Sequence, residues 1–236
     1  MRTIEVLDDI PVTLKADNLV KLLGVPGRDQ SIERMVREMV ETALPIARPK
    51  AVYVVSHVDN RSQDSLDIDG VRFSSRVLSI NLDETNRVFP YVVTCGRELD
   101  GIAFPEGDLM ASYFADAIKI VVLGAAFAHL NGHLTDRYRP GKISYMSPGS
   151  LESWPLVQQN ELFSILGDVE DAIGVTLTES MLMVPMKSTS GIFFPTETGF
   201  ENCQLCPMKK CVGRRAPYDP SLIEQYERTA SRRKEP

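Results

Sequence analysis

The stretch Ser147-Pro-Gly-Ser-Leu-Glu-Ser-Trp-Pro-Leu-Val-Gln-Gln-Asn-Glu-Leu-Phe-Ser-Ile-Leu166 carries more structural information than any other in the chain. Its first four residues are turn formers, and Gly149 can take backbone angles closed to other residues. No helical period sets in until Pro155, a favoured first helical residue after Ser153 or Trp154, and the helix predicted over 155–166 should stop at Gly167. Upstream, Arg139-Pro-Gly-Lys142 is another turn. Downstream, the β-branched and aromatic runs at 175–178, 181–184 and 189–194 read as strands, limited by Pro185 and Pro195.

Towards the N-terminus, Ile32, Met35, Val36, Met39, Val40, Ala43 and Leu44 recur at helical spacing. They predict an amphipathic helix over 29–44, with Asp29 or Ser31 as N-cap and Pro45 beyond its end. The runs 51–55, 71–73, 77–82 and 88–94 read as strands, some antiparallel, with polar turns such as Asp69-Gly70 between them. Asp108 caps a long helix running to about Leu134, whose middle is apolar all round and therefore central to the fold. Asp219-Pro220 opens a last helix that buries Leu222, Ile223 and Tyr226, and its basic end at 228–234 is exposed. Helices mixed with short strands, without regular alternation, predict an α+β fold.

At 236 residues, 43% hydrophobic and 25% charged, the chain is long enough to bury a real core. A compact fold of this size removes roughly 70–75% of the unfolded surface from water, so a metal is not needed to hold it together and any metal site is a functional clue. Lys plus Arg number 26 against 32 for Asp plus Glu, a net charge of −6 that disfavours a nucleic-acid groove. The longest apolar stretch, 120–130, falls short of the roughly 20 residues of a membrane span and reads as a buried helix. No secretory leader is evident and the four cysteines are too few for a disulfide scaffold, so a cytoplasmic protein with reduced thiols is expected.

Three segments, 147–166, then Ile173-Gly-Val-Thr-Leu-Thr-Glu-Ser-Met-Leu-Met-Val-Pro185, then Lys187-Ser-Thr-Ser-Gly-Ile192, keep the order and spacing of one known family. Together they resemble the reactivation (AdoMet-binding) domain of cobalamin-dependent methionine synthase, especially stand-alone relatives that end in a cysteine motif. The likeness is continuous over 137–194, about a quarter of the chain, and looser at Thr94-Cys-Gly-Arg-Glu-Leu99. It implies a helmet-like α+β domain with a mostly antiparallel mixed sheet and long helices over 1–200, and a cysteine motif with a C-terminal helix over 201–236. It also implies a reactivation partner that docks on a corrinoid protein or cobalamin-dependent methyltransferase and supports reductive methylation of cob(II)alamin. AdoMet would give the methyl group and a separate reductant the electron, with cobalamin met only through the partner. The family motif Arg-x-x-Pro-Gly-Tyr reads Tyr145-Met-Ser-Pro148-Gly149-Ser150 in this chain, and the aromatic pair after Ser-Gly reads Ile192-Phe193. Tyr145, Ser147, Pro148, Gly149 and Ser150 are the expected AdoMet contacts, with Arg139 or Lys142 replacing the missing cation. Glu179, at a strand end, is either a further contact for a ribose or amide or an ordinary surface carboxylate.

Cys203, Cys206 and Cys211 lie within nine residues, at a spacing that can turn three thiolates towards one metal. Cys95 is a candidate fourth ligand or a buried structural thiol. Four thiolates suit zinc or an iron–sulfur cluster, and Lys209, Lys210, Arg214 and Arg215 favour the anionic form. A metal or iron–sulfur protein on the same fold that has lost AdoMet and serves as an electron-transfer or assembly partner is the alternative function. His129 and His133 share a helix face but lack the Glu of a zinc-protease motif, and they read as helix-end residues. Asp59, Asp64, Asp67 and Asp69 lack the order of a calcium loop and read as a solvated hairpin.

Overall fold

The chain, described here by a computed structural model over residues 3–24, 30–102, 108–197, 199–208 and 214–222, begins with strand β1 (Ile4–Leu7) and helices α1 (Ala16–Leu22) and α2 (Gln30–Ala43). Strands β2 (Lys50–Val54), β3 (Ser56–Arg61), β4 (Leu66–Ile68) and β5 (Val71–Phe73) lead to α3 (Arg76–Asn81), β6 (Arg87–Thr94) and the long α4 (Leu109–Tyr138). The second half holds β7 (Ile143–Met146), α5 (Gln159–Leu166), α6 (Val169–Ile173), β8 (Thr176–Leu177), β9 (Met183–Val184) and β10 (Ser188–Pro195).

Strand β6 is the centre, because Val88, Phe89, Tyr91, Val92 and Val93 favour extended chain and are wholly buried on both faces. Strand β10 pairs along one edge of β6, and β7 pairs with β10. The other edge is shared by β2 and β3: Tyr53 faces Tyr91 and Ser56 faces Val88, so the two behave as one strand interrupted at Val55. Strand β1 adds to β2, while β4 and β5 extend from β3. Every pairing among the described strands is antiparallel, and β8 and β9 form a separate two-stranded ladder. The expected α+β architecture with an antiparallel sheet and a long helix is therefore the one observed.

The two-residue period of the strands divides the core. Val52, Val54, Val88, Val92, Ile192 and Phe194 face α3, α5 and Trp154. Their neighbours Ala51, Tyr53, Phe89, Tyr91, Val93 and Phe193 face the second half of α4. The first half of α4 packs instead on α1 and α2 through Phe114, Ile118 and Val122. Each large apolar side chain so buried contributes about 1.5–3 kcal/mol.

Helix α4 is long and apolar enough by composition to cross a membrane. Its buried residues Ala111, Phe114, Ile118, Val122, Ala126, Leu130 and Leu134 nevertheless recur every three to four positions as one stripe on the core. Lys187 and Lys119 form ion pairs to Asp116 of α4 and from α4 to Asp100. The stripe makes α4 the core helix of this fold, although its apolar surface is not covered all round: Ile120 is 54% exposed.

Several boundaries differ from expectation. The run 77–82 is not a strand but part of α3, since the Ser75 hydroxyl accepts a hydrogen bond from the Leu78 N–H at 3.1 Å and starts a helix. Helix α4 passes Gly132 and ends at Tyr138, where Arg139 turns left-handed and Pro140 cannot continue the ladder. Pro155 is extended and precedes a short 3₁₀ turn, Leu156–Gln158, that runs into α5. The Trp154 carbonyl is taken by Gly149 N–H at 2.8 Å, which closes the loop before the helix begins. Ser31 lies within α2 rather than at its cap, and Asp29 lies outside the described residues, as do Ile223, Tyr226 and 228–234.

Candidate functional site

Strand β7 delivers the turn at 147–150 to the edge of the sheet. Ser150 N–H donates to the Ser147 carbonyl at 3.2 Å, and Gly149 has φ +78° with its Cα facing Leu156. A Cβ there would press on Leu156 Cδ1 at 2.9 Å, a side-chain end that can shift, so it is the positive φ that calls for glycine. Beneath the turn, Gly191 of β10 lets the end of β7 approach: a Cβ on it would collide with the Met146 carbonyl and stand 2.7 Å from the Tyr91 hydroxyl and 2.9 Å from Ser147 Oγ. Trp154 is wholly buried, edge-on to Phe73 with centroids 6.2 Å apart, and anchors the far side of the loop.

These elements wall a cavity of about 550 Å³. Tyr145, Ser147, Pro148, Gly149 and Ser150 form one side, with Leu156 and Gln159 from the following turn and helix. Met183 and 188–190 contribute from β9 and β10, and Asn202, Cys203, Cys206 and Arg215 close over it from the C-terminal segment. Gln159 is 4% exposed, and its Oε1, like Asn202 Oδ1, is buried without a hydrogen-bond partner. Such acceptors are costly unless a ligand or water satisfies them. Tyr91 lies under the cavity, where burial holds its hydroxyl pKa above the ordinary value and keeps it protonated.

The cysteine segment is organised by two consecutive arginines. The Arg214 guanidinium donates to the carbonyls of Cys203 and Cys206 at 3.0 Å, of Ala216 at 3.1 Å, and of Met208. This holds the 3₁₀ turn Asn202–Gln204 and the loop after it. Arg215 N–H lies 3.4 Å from Cys203 Sγ as a donor. Its guanidinium carbon sits 4.3 Å from the centre of the Tyr145 ring, and Nη2 is 3.6 Å from Glu201 Oε2. Burial lowers the Arg215 pKa from its ordinary value, with Tyr91 acting in the opposite sense, but a guanidinium remains charged.

The structure thus brings together Tyr145, the 147–150 turn, Cys203 and Cys206. It does not bring Glu179 to them: that carboxylate is exposed on the turn after β8, where Thr178 and Ser180 hydroxyls meet at 3.1 Å. Arg139 and Lys142 do not line the cavity either, because β7 intervenes, a span of roughly 13 Å at about 3.3 Å per residue. Lys142 instead donates to the Glu197 carbonyl at 3.4 Å. Cys95 follows β6 in the core between α1, α2 and α4, and burial pushes its thiol up to about 11. Among the described residues no three His, Cys, Asp or Glu side chains stand together as a metal set, so Cys95 does not complete a site with Cys203 and Cys206. Cys211, Lys209 and Lys210 lie outside the described residues.

His133 is committed to Tyr53, and the acidic hairpin is internally paired, with Arg72 donating to Asp67 at 2.9 Å and Gly70 N–H to Asp59 at 2.7 Å. Gln159 and Asn202 carried no sequence signal of ligand binding. A polar residue at an inward position of α5, beside Leu162, Ile165 and Leu166, is the trace that Gln159 leaves in the sequence.

No protein-family model matches the chain, and no curated protein does. Among solved structures, the fold is similar to a crystal structure of the MetH reactivation domain bound to AdoHcy, with a TM-score of 0.58 and 15% sequence identity, over 84% of this chain and 80% of that one. At that identity the likeness is one of fold.

Proposed function

We propose that the protein is a reactivation partner of a corrinoid-dependent methyltransferase of the methionine synthase type, docking on its cobalamin domain. The observation that carries this is a fold shared with a reactivation domain solved with AdoHcy, combined with a cavity built by the residues expected to contact AdoMet. The volume of about 550 Å³ is within the range that small-molecule ligands occupy. AdoMet, when bound, would supply a methyl cation to cobalt that an external donor has reduced by one electron, leaving methylcobalamin and AdoHcy. The chain itself positions the donor: the 147–150 turn offers backbone groups, Gln159 and Asn202 offer acceptors, and the aromatic side of Tyr145 shields the ligand. In this reading residues 1–200 carry the fold and 201–236 are an appended segment, of which Asn202, Cys203, Cys206 and Arg215 line the cavity.

A second reading is favoured by the amide donor on Cys203 Sγ, a contact of the kind made to metal-bound sulfur. Here Cys203, Cys206 and Cys211 hold zinc or an iron–sulfur cluster, and the protein passes electrons to, or helps assemble, a corrinoid partner. Oxygen-free purification, a visible spectrum, metal analysis and calorimetric titration with AdoMet separate the two. Binding at micromolar AdoMet supports the first. A brown, iron-containing protein with no AdoMet heat supports the second, and a colourless, metal-free protein with no response overturns both.

A further inference from the structure

Arg215 is the one charged side chain among the described residues that line the cavity. Its contact with Glu201, at 3.6 Å, is longer than a hydrogen bond, so this ion pair leaves the planar fork available to a better acceptor. Its guanidinium carbon lies 4.3 Å from the centre of the Tyr145 ring, a cation–π contact that holds the charge at the cavity wall. A cation held this way suits a carboxylate bound side-on. Gln159 and Asn202, which line the same cavity, each hold a buried side-chain oxygen without a donor, a need of the opposite sign.

We infer that Arg215 binds the carboxylate of an α-amino-acid ligand, while Gln159 and Asn202 accept from its ammonium group. The assignment rests on the proposal that this cavity takes AdoMet or AdoHcy, and it places the cation for the ligand on the cysteine-bearing segment instead of on the strand and turn before it. Arg214 anchors that segment through the carbonyls of Cys203 and Cys206, which ties Arg215 to the turn that carries those two thiols.

The test compares AdoHcy with 5′-methylthioadenosine, which keeps the adenosine thioether and lacks the amino-acid end, by calorimetry on the full chain. The wild type should bind AdoHcy the more tightly. Arg215→Ala should weaken AdoHcy about tenfold or more, the effect of losing a charge-assisted contact, and leave 5′-methylthioadenosine within about twofold. Arg215→Lys, which keeps the charge and the stem, should recover part of the loss. Glu201→Gln, which removes the competing carboxylate, should tighten AdoHcy. If the wild type binds AdoHcy and Arg215→Ala binds it equally well, the role of Arg215 is overturned while the cavity reading stands. Parallel loss of both compounds in Arg215→Ala overturns it too, as a purely structural effect. A wild type that binds neither compound overturns the cavity reading and this inference together.

Discussion

The hydroxyl of Tyr53 on β2 stands 2.9 Å from Nε2 of His133 on α4, and Tyr138 on the last turn of the helix lies 3.2 Å from the same hydroxyl. The group ties the sheet to the C-terminal end of its covering helix. Burial raises the Tyr53 pKa and keeps its proton in place, so the natural arrangement has Tyr53 donating to an unprotonated His133.

This makes His133 a source of acid sensitivity. Its pKa is lowered from 6.5 by burial first, then by Arg137 and His129. The unfolded chain therefore takes up protons before the folded one as pH falls through 6.5, and stability present above that pH is lost on the way down to the folded value. Urea denaturation at about pH 7.5 and about pH 5.5 should show a larger loss for the wild type than for His133→Gln. Equal losses would remove His133 from the response.

Gly191→Ala should disturb the cavity from below. The added methyl meets the Met146 carbonyl, Tyr91 and Ser147, none of which is the free end of a flexible chain except Ser147. Overpacking of this kind costs about 1–3 kcal/mol. Denaturation should register that loss, and under the proposed function AdoHcy affinity should fall with it because the 147–150 turn is pushed outward. An unchanged midpoint would show that β7 yields at no cost.

Trp154→Ala should cost about 3–5 kcal/mol, the range for a large aromatic removed from a closed core. The side chain is wholly buried against Phe73, and its loop links the turn to α5. Chemical denaturation monitored by circular dichroism is suitable, since this is the chain's single Trp and its fluorescence disappears with it. A loss below about 1 kcal/mol would place the loop outside the cooperative core.

Cys95 should be silent in the folded protein. Its thiol is raised to about 11 by burial, with Asp100 adding to the effect, and the thiolate is the reactive form. Reaction with Ellman's reagent at about pH 8 should give the same native thiol count for wild type and Cys95→Ala, and one fewer for the variant in denaturant. A native count that drops in Cys95→Ala would mean that the core around it opens readily.

Local signals were legible where the cause is local. The amphipathic period of 29–44 became α2, and Asp108 caps α4 by accepting from Ala111 N–H at 2.9 Å, because period and cap act within one turn of chain. The segment 77–82 was misread because Val77, Leu78 and Ile80 have strand-like composition while the deciding contact is the Ser75 cap just before them. Strands β1, β3, β4 and β7 gave weaker signals, being three to six residues long and extended chiefly by their pairing.

The chain's own order of residues determined helices α2, α4 and α5, the glycine turn at 149 and the α+β class, all properties of neighbours within a few positions. Only the tertiary structure decided which side chains share the cavity. Tyr145 and Arg215 meet because β7 lies on β10 and the C-terminal segment folds back over both, a relation no spacing encodes. The same packing separated Cys95 from Cys203 and Cys206 and moved Glu179, Arg139 and Lys142 away from the site. Spacing along the chain fixes direction for about one turn of helix or one strand pair, and beyond that the register of the sheet and the burial of its faces determine what touches what.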